Sequence, residues 1–492
     1  MKDLKERTIR GGFAKACAQA ANFILRIGSL MVLARLLEPA DFGLVGMVTA
    51  ITGVFSLFKD AGLSMATVQR ATITNEQIST LFWINMLVGA LLGGLSLAIA
   101  PVLVAFYHEP KLFWVTVALA AGFLFNAAGV QHSALLQREM RFITLAVIEI
   151  ISLVVSIVVA IVMAASDFGY WALVGMALTL PAVSTICVWL TTEWIPGMPH
   201  RKVGIRSMLQ FGGTITLNGL VVYIAYNADK VLLGRFWGAD ALGIYGRAYQ
   251  LINIPTENLN SALGPVVFSA LSRLQDDPHR LKSYFLKGYS LTLAMTLPII
   301  IACVLFTDDI ISIVLGPQWE DAANIFRLLS PTILVFSLIN PLSWLLFSTG
   351  LVRRSLKIAL VITPLVIGAY VIGLPYGPEG VAFAYSAVMT LWVVPHIAWC
   401  IHGTMISAWD LWQAVSRPFI SSIMAAVLVF LMQFFFGELL PPFLRLVIGG
   451  TVLFCAYLGI LLYVMGHKVF YLELLRGLKG HSFIDEGKSA SG

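Results

Sequence analysis

The chain has 492 residues, of which 59% are hydrophobic and only 12% charged, with a mean hydropathy of +0.87 and a formal net charge of +6. That balance excludes a soluble globular domain and a disordered chain, and it points to an integral membrane protein. Basicity in such a chain belongs to cytoplasmic loops, so a pI near 9.0 is no sign of a nucleic-acid partner.

About fourteen apolar runs of roughly twenty residues are long enough to span a bilayer. They lie at 13–34, 42–58, 80–104, 112–132, 143–165, 170–192, 208–228, 241–270, 286–306, 322–347, 355–374, 379–402, 415–436 and 443–465. The predicted fold is an all-α integral membrane protein of two pseudo-symmetric six-helix lobes plus two C-terminal helices. The lobes are placed at 1–205 and 206–404, and residues 405–492 carry the appended pair and a tail. The opening Met1–Arg10 is expected to be a charged cytoplasmic lead rather than a signal peptide. Five cysteines (Cys17, Cys187, Cys303, Cys400, Cys455) fall inside apolar runs without metal-ligand spacing and read as small buried hydrophobes.

The first span carries a polar stripe. Lys15, Gln19, Asn22 and Arg26 follow one another at spacings of four, three and four, which groups them on one helix face. A cation near the middle of a span costs roughly 2.5–3.5 kcal/mol on insertion scales, so it faces a polar interior or a cavity. Lys15 has the alternative of snorkelling to the surface. Arg26 is deeper and is assigned to a water-filled path.

The same stretch recurs about 200 residues on. Leu33-Ala34-Arg35-Leu36 answers to Leu233-Gly234-Arg235-Phe236, and Gly43-Leu44-Val45-Gly46 to Gly243-Ile244-Tyr245-Gly246. A repeat of this kind implies two similar halves with a site between them. In the second copy Tyr223, Asn227 and Lys230 form a polar face, with Asp229 beside Lys230 as an alternative self-neutralising pair. The eighth span follows with Arg247, Gln250, Asn253, Glu257 and Asn260, and Pro255 and Pro265 are expected to distort it. Arg247 joins Arg26 as a candidate for holding an anionic group, because guanidinium offers a planar fork suited to phosphate oxygens.

Glu149, flanked by apolar residues, is either a buried carboxyl bonded to a neighbouring helix or an ion-coupling group, and Glu257 is the other coupling candidate. His396 reads as a packing histidine, while Asn126, Gln131 and His132 either extend a cavity or bond between helices. Gly89-x-x-x-Gly93 reads as close helix packing. Lys and Arg cluster at 2–10, 201–206, 273–287 and 353–357, which places both termini in the cytoplasm. The opposite loops are short and acidic (Asp308, Asp309, Glu320, Asp321), leaving no room for a catalytic platform there. No P-loop, HExxH, nucleophile elbow or GxGxxG motif is found. No catalytic residue, metal site or cofactor is therefore expected, and the chain is read as a non-enzyme.

Arg35-Leu-Leu-Glu-Pro-Ala-Asp-Phe-Gly43 resembles the first-loop signature of bacterial polysaccharide transporters. Asp229-Lys-Val-Leu-Leu-Gly-Arg-Phe236, with Leu242-Gly-Ile-Tyr245 and Ala248-Tyr-Gln-Leu251, resembles the matching signature of their second half. These are lipid-linked oligosaccharide flippases of the multidrug/oligosaccharidyl-lipid/polysaccharide exporter superfamily, and the chain is most similar to the exopolysaccharide branch (colanic acid, succinoglycan). The resemblance implies alternating access that carries an undecaprenyl-diphosphate sugar across the bacterial inner membrane. It also implies partnership with the polymerase and chain-length regulator of the same pathway. Two other readings are a multidrug or peptidoglycan-precursor exporter, against which the cations count, and a membrane glycosyltransferase or polymerase, against which the short outer loops count.

Overall fold

The computed structural model describes residues 2–59, 64, 67–68, 73–199, 219–436 and 440–466, and among them all regular structure is helical. Among the described residues ten segments are long and apolar enough to cross a membrane, and the protein is a multi-pass membrane protein. Leucines and isoleucines that a soluble fold would hide are bare here: Ile24 is 68% exposed, Leu87 61%, Leu190 78% and Ile372 73%. Apolar side chains can stay bare in this way where lipid rather than water covers them.

In chain order the helices are α1 (Lys2–Leu36), α2 (Pro39–Ser56), α3 (Asn75–Tyr107), α4 (Leu112–Arg138), α5 (Phe142–Ala165) and α6 (Trp171–Thr192). Then come α7 (Ala228–Ser272), α8 (Pro278–Leu305), α9 (Thr307–Val314), α10 (Asp321–Leu329), α11 (Pro331–Ser348), α12 (Val352–Gly373), α13 (Gly377–Ile401), α14 (Ala408–Phe436) and α15 (Pro442–Gly459). Their starts are written locally. Pro39 and Pro278 take the first helical position, where a missing N–H costs nothing. Thr74 and Gln77 cap α3 reciprocally, each bonding the other's backbone N–H at 3.3 and 3.1 Å.

The proline-rich eighth span is not the distorted element that the sequence leads one to expect. The α7 helix runs through Pro255, and its one non-helical residue is Gly238, at φ 81°. Glycine alone takes that conformation freely. The corner between α1 and α2 falls at Glu38 (φ −81°, ψ 155°), 200 positions earlier, so both copies of the repeat turn at the same place.

The chain divides into two compact units. One holds Met1–Gln250, Val314–Ile325 and Ala359–Val388. Within it the repeat meets itself. A Cβ on Gly43 would fall 1.7 Å from the Ala239 carbonyl oxygen, and one on Gly243 would fall 1.8 Å from that of Pro39. The pairs 43/239 and 243/39 are the same contact read from either copy, as at a local two-fold axis. Close helix approach recurs at Gly89, whose absent Cβ leaves room for Ala127 and the Phe123 carbonyl. The last carbonyls of α1, which no helical N–H can reach, accept from later chain. Trp319 Nε1 donates to Ala34 O at 2.8 Å, and Gln318 Nε2 donates to Ala34 O and to Leu37 O.

The other unit holds Leu251–Ile313, Phe326–Ile358 and Met389–Gly492. Its core joins α8 to the C-terminal pair through Ala294, Phe306, Ala425, Val429, Leu453, Tyr457 and Leu461. The Tyr457 hydroxyl donates to Ala294 O at 2.8 Å. Charges here are paired: Arg445 with Asp309 at 2.6 Å, Arg327 with Asp308 at 3.0 Å, and Lys282 with Asp410 at 2.6 Å. His396 accepts from Trp392 Nε1 at 3.1 Å, the packing role its sequence context gives it.

The Arg445 guanidinium grips Asp309 through two nitrogens, and Asp309 is 6% exposed. Changing Asp309 to Asn should lower unfolding stability by about 1.5–3 kcal/mol, the range for hydrogen bonds to charged groups. Denaturant titration in detergent would read it. Adding Arg445→Gln to the first change should cost less than it does alone, because the charge left behind is then gone.

Candidate functional site

On α1 the polar stripe splits. The Lys15 side chain lies outside the described residues, Gln19 and Arg26 are exposed, and Asn22 is 5% exposed. Asn22 sits at one edge of the stripe, and that edge packs on α5. Its Nδ2 donates to Glu149 Oε1 at 2.8 Å. Glu149 is thus bonded to a neighbouring helix, although its side chain is exposed rather than buried. Arg26 has no ion-pair partner among the described residues.

The second polar face forms a chain of donors. Lys230 Nζ donates to Asn227 Oδ1 at 2.7 Å, and Asn227 Nδ2 to the Tyr223 carbonyl at 2.9 Å. The Tyr223 hydroxyl donates to Thr49 O and Ala50 O of α2, at 3.0 and 3.1 Å. Gly53 makes this reach possible, since a Cβ there would lie 2.0 Å from that hydroxyl. The alternative of an Asp229–Lys230 pair is met only in part: the two charges act on each other, but their side chains make no direct salt bridge. Asp229 is fully buried and accepts instead from Tyr245 Oη at 2.9 Å and from the Lys230 backbone N–H at 2.7 Å. Adjacent helical residues point about 100° apart, so the two side chains find different neighbours. The ammonium lies 5.3 Å from the Tyr249 ring centre, within a wall of tyrosines that continues to Tyr385 and Tyr370.

Arg247 follows the Gly238 corner on α7. Its guanidinium carbon lies 4.5 Å from the centre of the Phe42 ring, and Nη1 donates to Gln250 Oε1. Nε is buried with no hydrogen-bond partner. Phe42 is 4% exposed and is met edge-on by Trp319 at 5.4 Å. Glu257 lies in the other unit and is exposed. Among the described residues no group of three or more His, Cys, Asp or Glu is placed to hold a metal ion.

Within the two polar bands the structure bonds Lys230 to Asn227 and Arg247 to Gln250. It does not bond Arg26 to Arg247 or Lys230. It adds Phe42, Trp319 and Tyr245, which periodicity on one helix cannot reveal. The matched pair Gly43 and Gly243 was the available signal for Phe42. Gln131 and His132 bond between elements rather than opening space: Gln131 accepts from Thr67 at 2.9 Å, and His132 stacks on Trp189 at 4.4 Å.

Common to Arg26, Lys230 and Arg247 is a cation that makes no salt bridge to a carboxylate among the described residues, whereas Arg445, Arg327 and Lys282 all make one. Rings and neutral amides hold a cation weakly and yield to an anion.

A family model described as "Polysaccharide biosynthesis protein" matches residues 32–324. Teichuronic acid biosynthesis protein TuaB of Bacillus subtilis (strain 168) is 31% identical over 296 residues, 59% of this chain and 61% of that protein. The match thus spans less than two thirds of that relative. Lipopolysaccharide biosynthesis protein WzxC of Escherichia coli (strain K12) is 27% identical over 378 residues, 75% of this chain and 76% of the relative. The fold is similar to that of the lipid II flippase MurJ in an inward closed conformation, with a TM-score of 0.75 at 14% identity over 95% of this chain and 100% of that one. The family model covers more than half the chain and takes in Phe42, Arg247 and Trp319, so the protein belongs to the polysaccharide biosynthesis protein family.

Proposed function

We propose that the protein is a flippase that moves an undecaprenyl-diphosphate-linked oligosaccharide across the bacterial inner membrane by alternating access. The observation that carries this reading is the set of cations on α1 and α7, Arg26, Lys230 and Arg247, that make no salt bridge among the described residues. A diphosphate with a glycan cannot enter hydrocarbon unaided, because each unsatisfied polar group costs several kcal/mol there. Guanidinium and ammonium supply the countercharge. Gln19, Asn22, Tyr223, Asn227 and Gln250 supply amide and hydroxyl partners for sugar hydroxyls, and Lys15 stands at the stripe's entrance.

The wider arrangement belongs to the same proposal. Fourteen crossings require α1, a span over 208–228 that lies mostly outside the described residues, one over 241–270 within α7, and the two helices within Val352–Ile401 to span separately. The lobes are 1–205 and 206–404, and the C-terminal pair is appended. Both termini are cytoplasmic, and Glu149 and Glu257 are candidates for ion coupling. The names of TuaB and WzxC support a polysaccharide pathway, whose polymerase and chain-length regulator are the expected partners. The protein is a transporter and performs no bond chemistry of its own.

Replacing Arg26 or Arg247 with Ala should abolish polymer export while the chain still inserts at normal abundance. Lipid-linked repeat units should then accumulate in the cytoplasmic leaflet. Normal export from either variant would remove that residue from the headgroup site. A fluorescent-protein fusion at the C-terminal end should fluoresce and an alkaline phosphatase fusion there should be inactive; the reverse pattern would overturn the orientation.

A further inference from the structure

The Phe42 ring has two neighbours that matter. One is the Arg247 guanidinium, whose carbon lies 4.5 Å from the ring centre, and the other is Trp319, edge-on at 5.4 Å. The next residue in the chain, Gly43, lies against the Ala239 backbone, and Gly243, one turn before Arg247 on the same helix face, lies against the Pro39 backbone. The stacked pair therefore abuts the seam where the two copies of the repeat close on each other. The guanidinium is incompletely satisfied in this arrangement, with Nε buried and unbonded and only Gln250 accepting from Nη1.

We propose that Phe42 is a latch residue: its ring holds Arg247 while the Gly43/Gly243 seam is closed, and an anionic group that takes Arg247 loosens the seam. The proposal rests on the reading above that Arg247 receives the diphosphate. A ligand shifts a conformational balance only through unequal affinity for the two states. The inequality here is geometric. A ring face offers the guanidinium no hydrogen-bond acceptor, whereas phosphate oxygens accept from Nε and Nη together. Because Nε is buried in the closed arrangement, an anion can use both only if the guanidinium moves off the ring that lies beside the seam. The closed state thus binds the anion less well than the open one, and headgroup binding becomes the signal for opening. Phe42 acts through Arg247 and is a positioning residue; nothing requires it to touch substrate.

The test uses the full-length chain in proteoliposomes, spin-labelled through a ketone-bearing amino acid in place of Leu36 and Asp240, both exposed on opposite sides of the seam. The distance between labels is read by pulsed electron resonance, and retention of radiolabelled undecaprenyl diphosphate is measured separately. Without lipid, Phe42→Leu should raise the long-distance population severalfold, Arg247→Gln should do the same, and Phe42→Tyr should behave as the parent. The double variant should open no further than the larger single effect, because both remove one contact. Phe42→Met serves in the same way if the leucine variant fails to insert. In the parent, undecaprenyl diphosphate should shift the distribution to long distances. Lipid-free distances unchanged by Phe42→Leu and Phe42→Met, or additive effects in the double variant, would overturn the latch. So would lipid that binds without shifting the distances. Lipid that does not bind the parent at all would instead defeat the headgroup reading.

Discussion

A positive charge within apolar helices has to be answered by something, and the identity of that partner decides what the charge can do. Placing a guanidinium at mid-span costs roughly 2.5–3.5 kcal/mol. A desolvated ring face returns up to about 2 kcal/mol, and a hydrogen bond from a charged donor about 1.5–3 kcal/mol. Arg247 has one of each, from Phe42 and Gln250. Costs and returns are of the same size, so the residue is tolerated without being locked. A carboxylate in the same place would make a stable pair and a poor receptor for a second anion.

The two-fold seam explains how that partner is supplied. Backbones approach at Gly43 and Gly243 because neither has a Cβ, and in each copy the glycine sits five residues after the corner at 38 or 238. The repeat would give both copies identical surroundings if their sequences were identical. They are not. Position 42 is Phe and position 242 is Leu, while position 47 is Met and position 247 is Arg. The seam therefore brings one aromatic ring from the first copy to one cation from the second. The asymmetry of the Phe42–Arg247 contact is built by substitution within a symmetric frame, and the frame fixes which substitutions meet.

Membrane class, the repeat, its offset and the candidate cations were legible in the sequence, because hydropathy and self-similarity are properties of the chain alone. Partners were not. Helical spacing placed Asn22 and Arg26 on one face, but it did not say that Asn22 would turn to Glu149, 127 residues away. Asp229 and Lys230 are neighbours in the chain, yet their side chains bond to different partners, Tyr245 and Asn227. Trp319, which bonds α1 at Ala34 and edges Phe42, arrives from 285 positions further on, and no local pattern announces it. The prolines misled for a related reason. A helix within a packed bundle re-satisfies the carbonyl that proline frees, whereas Gly238 bends because its φ is positive.

Charge placement elsewhere sharpens the point. Asp308 and Asp309 belong to the acidic run that marks the loop after α8, and both are held by arginines. They contribute to anchoring, and their arginines are not available to a passenger. Counting basic residues would rank Arg445 and Arg247 alike, yet only the second is free of a carboxylate among the described residues. A carrier must also release what it binds, since a site that holds an anion equally well in every state moves nothing. On the proposed headgroup reading, rings and neutral amides are partners that a diphosphate can displace and that can reclaim the guanidinium when it leaves. A site built from them can cycle, and one built from ion pairs would be filled before the substrate arrived.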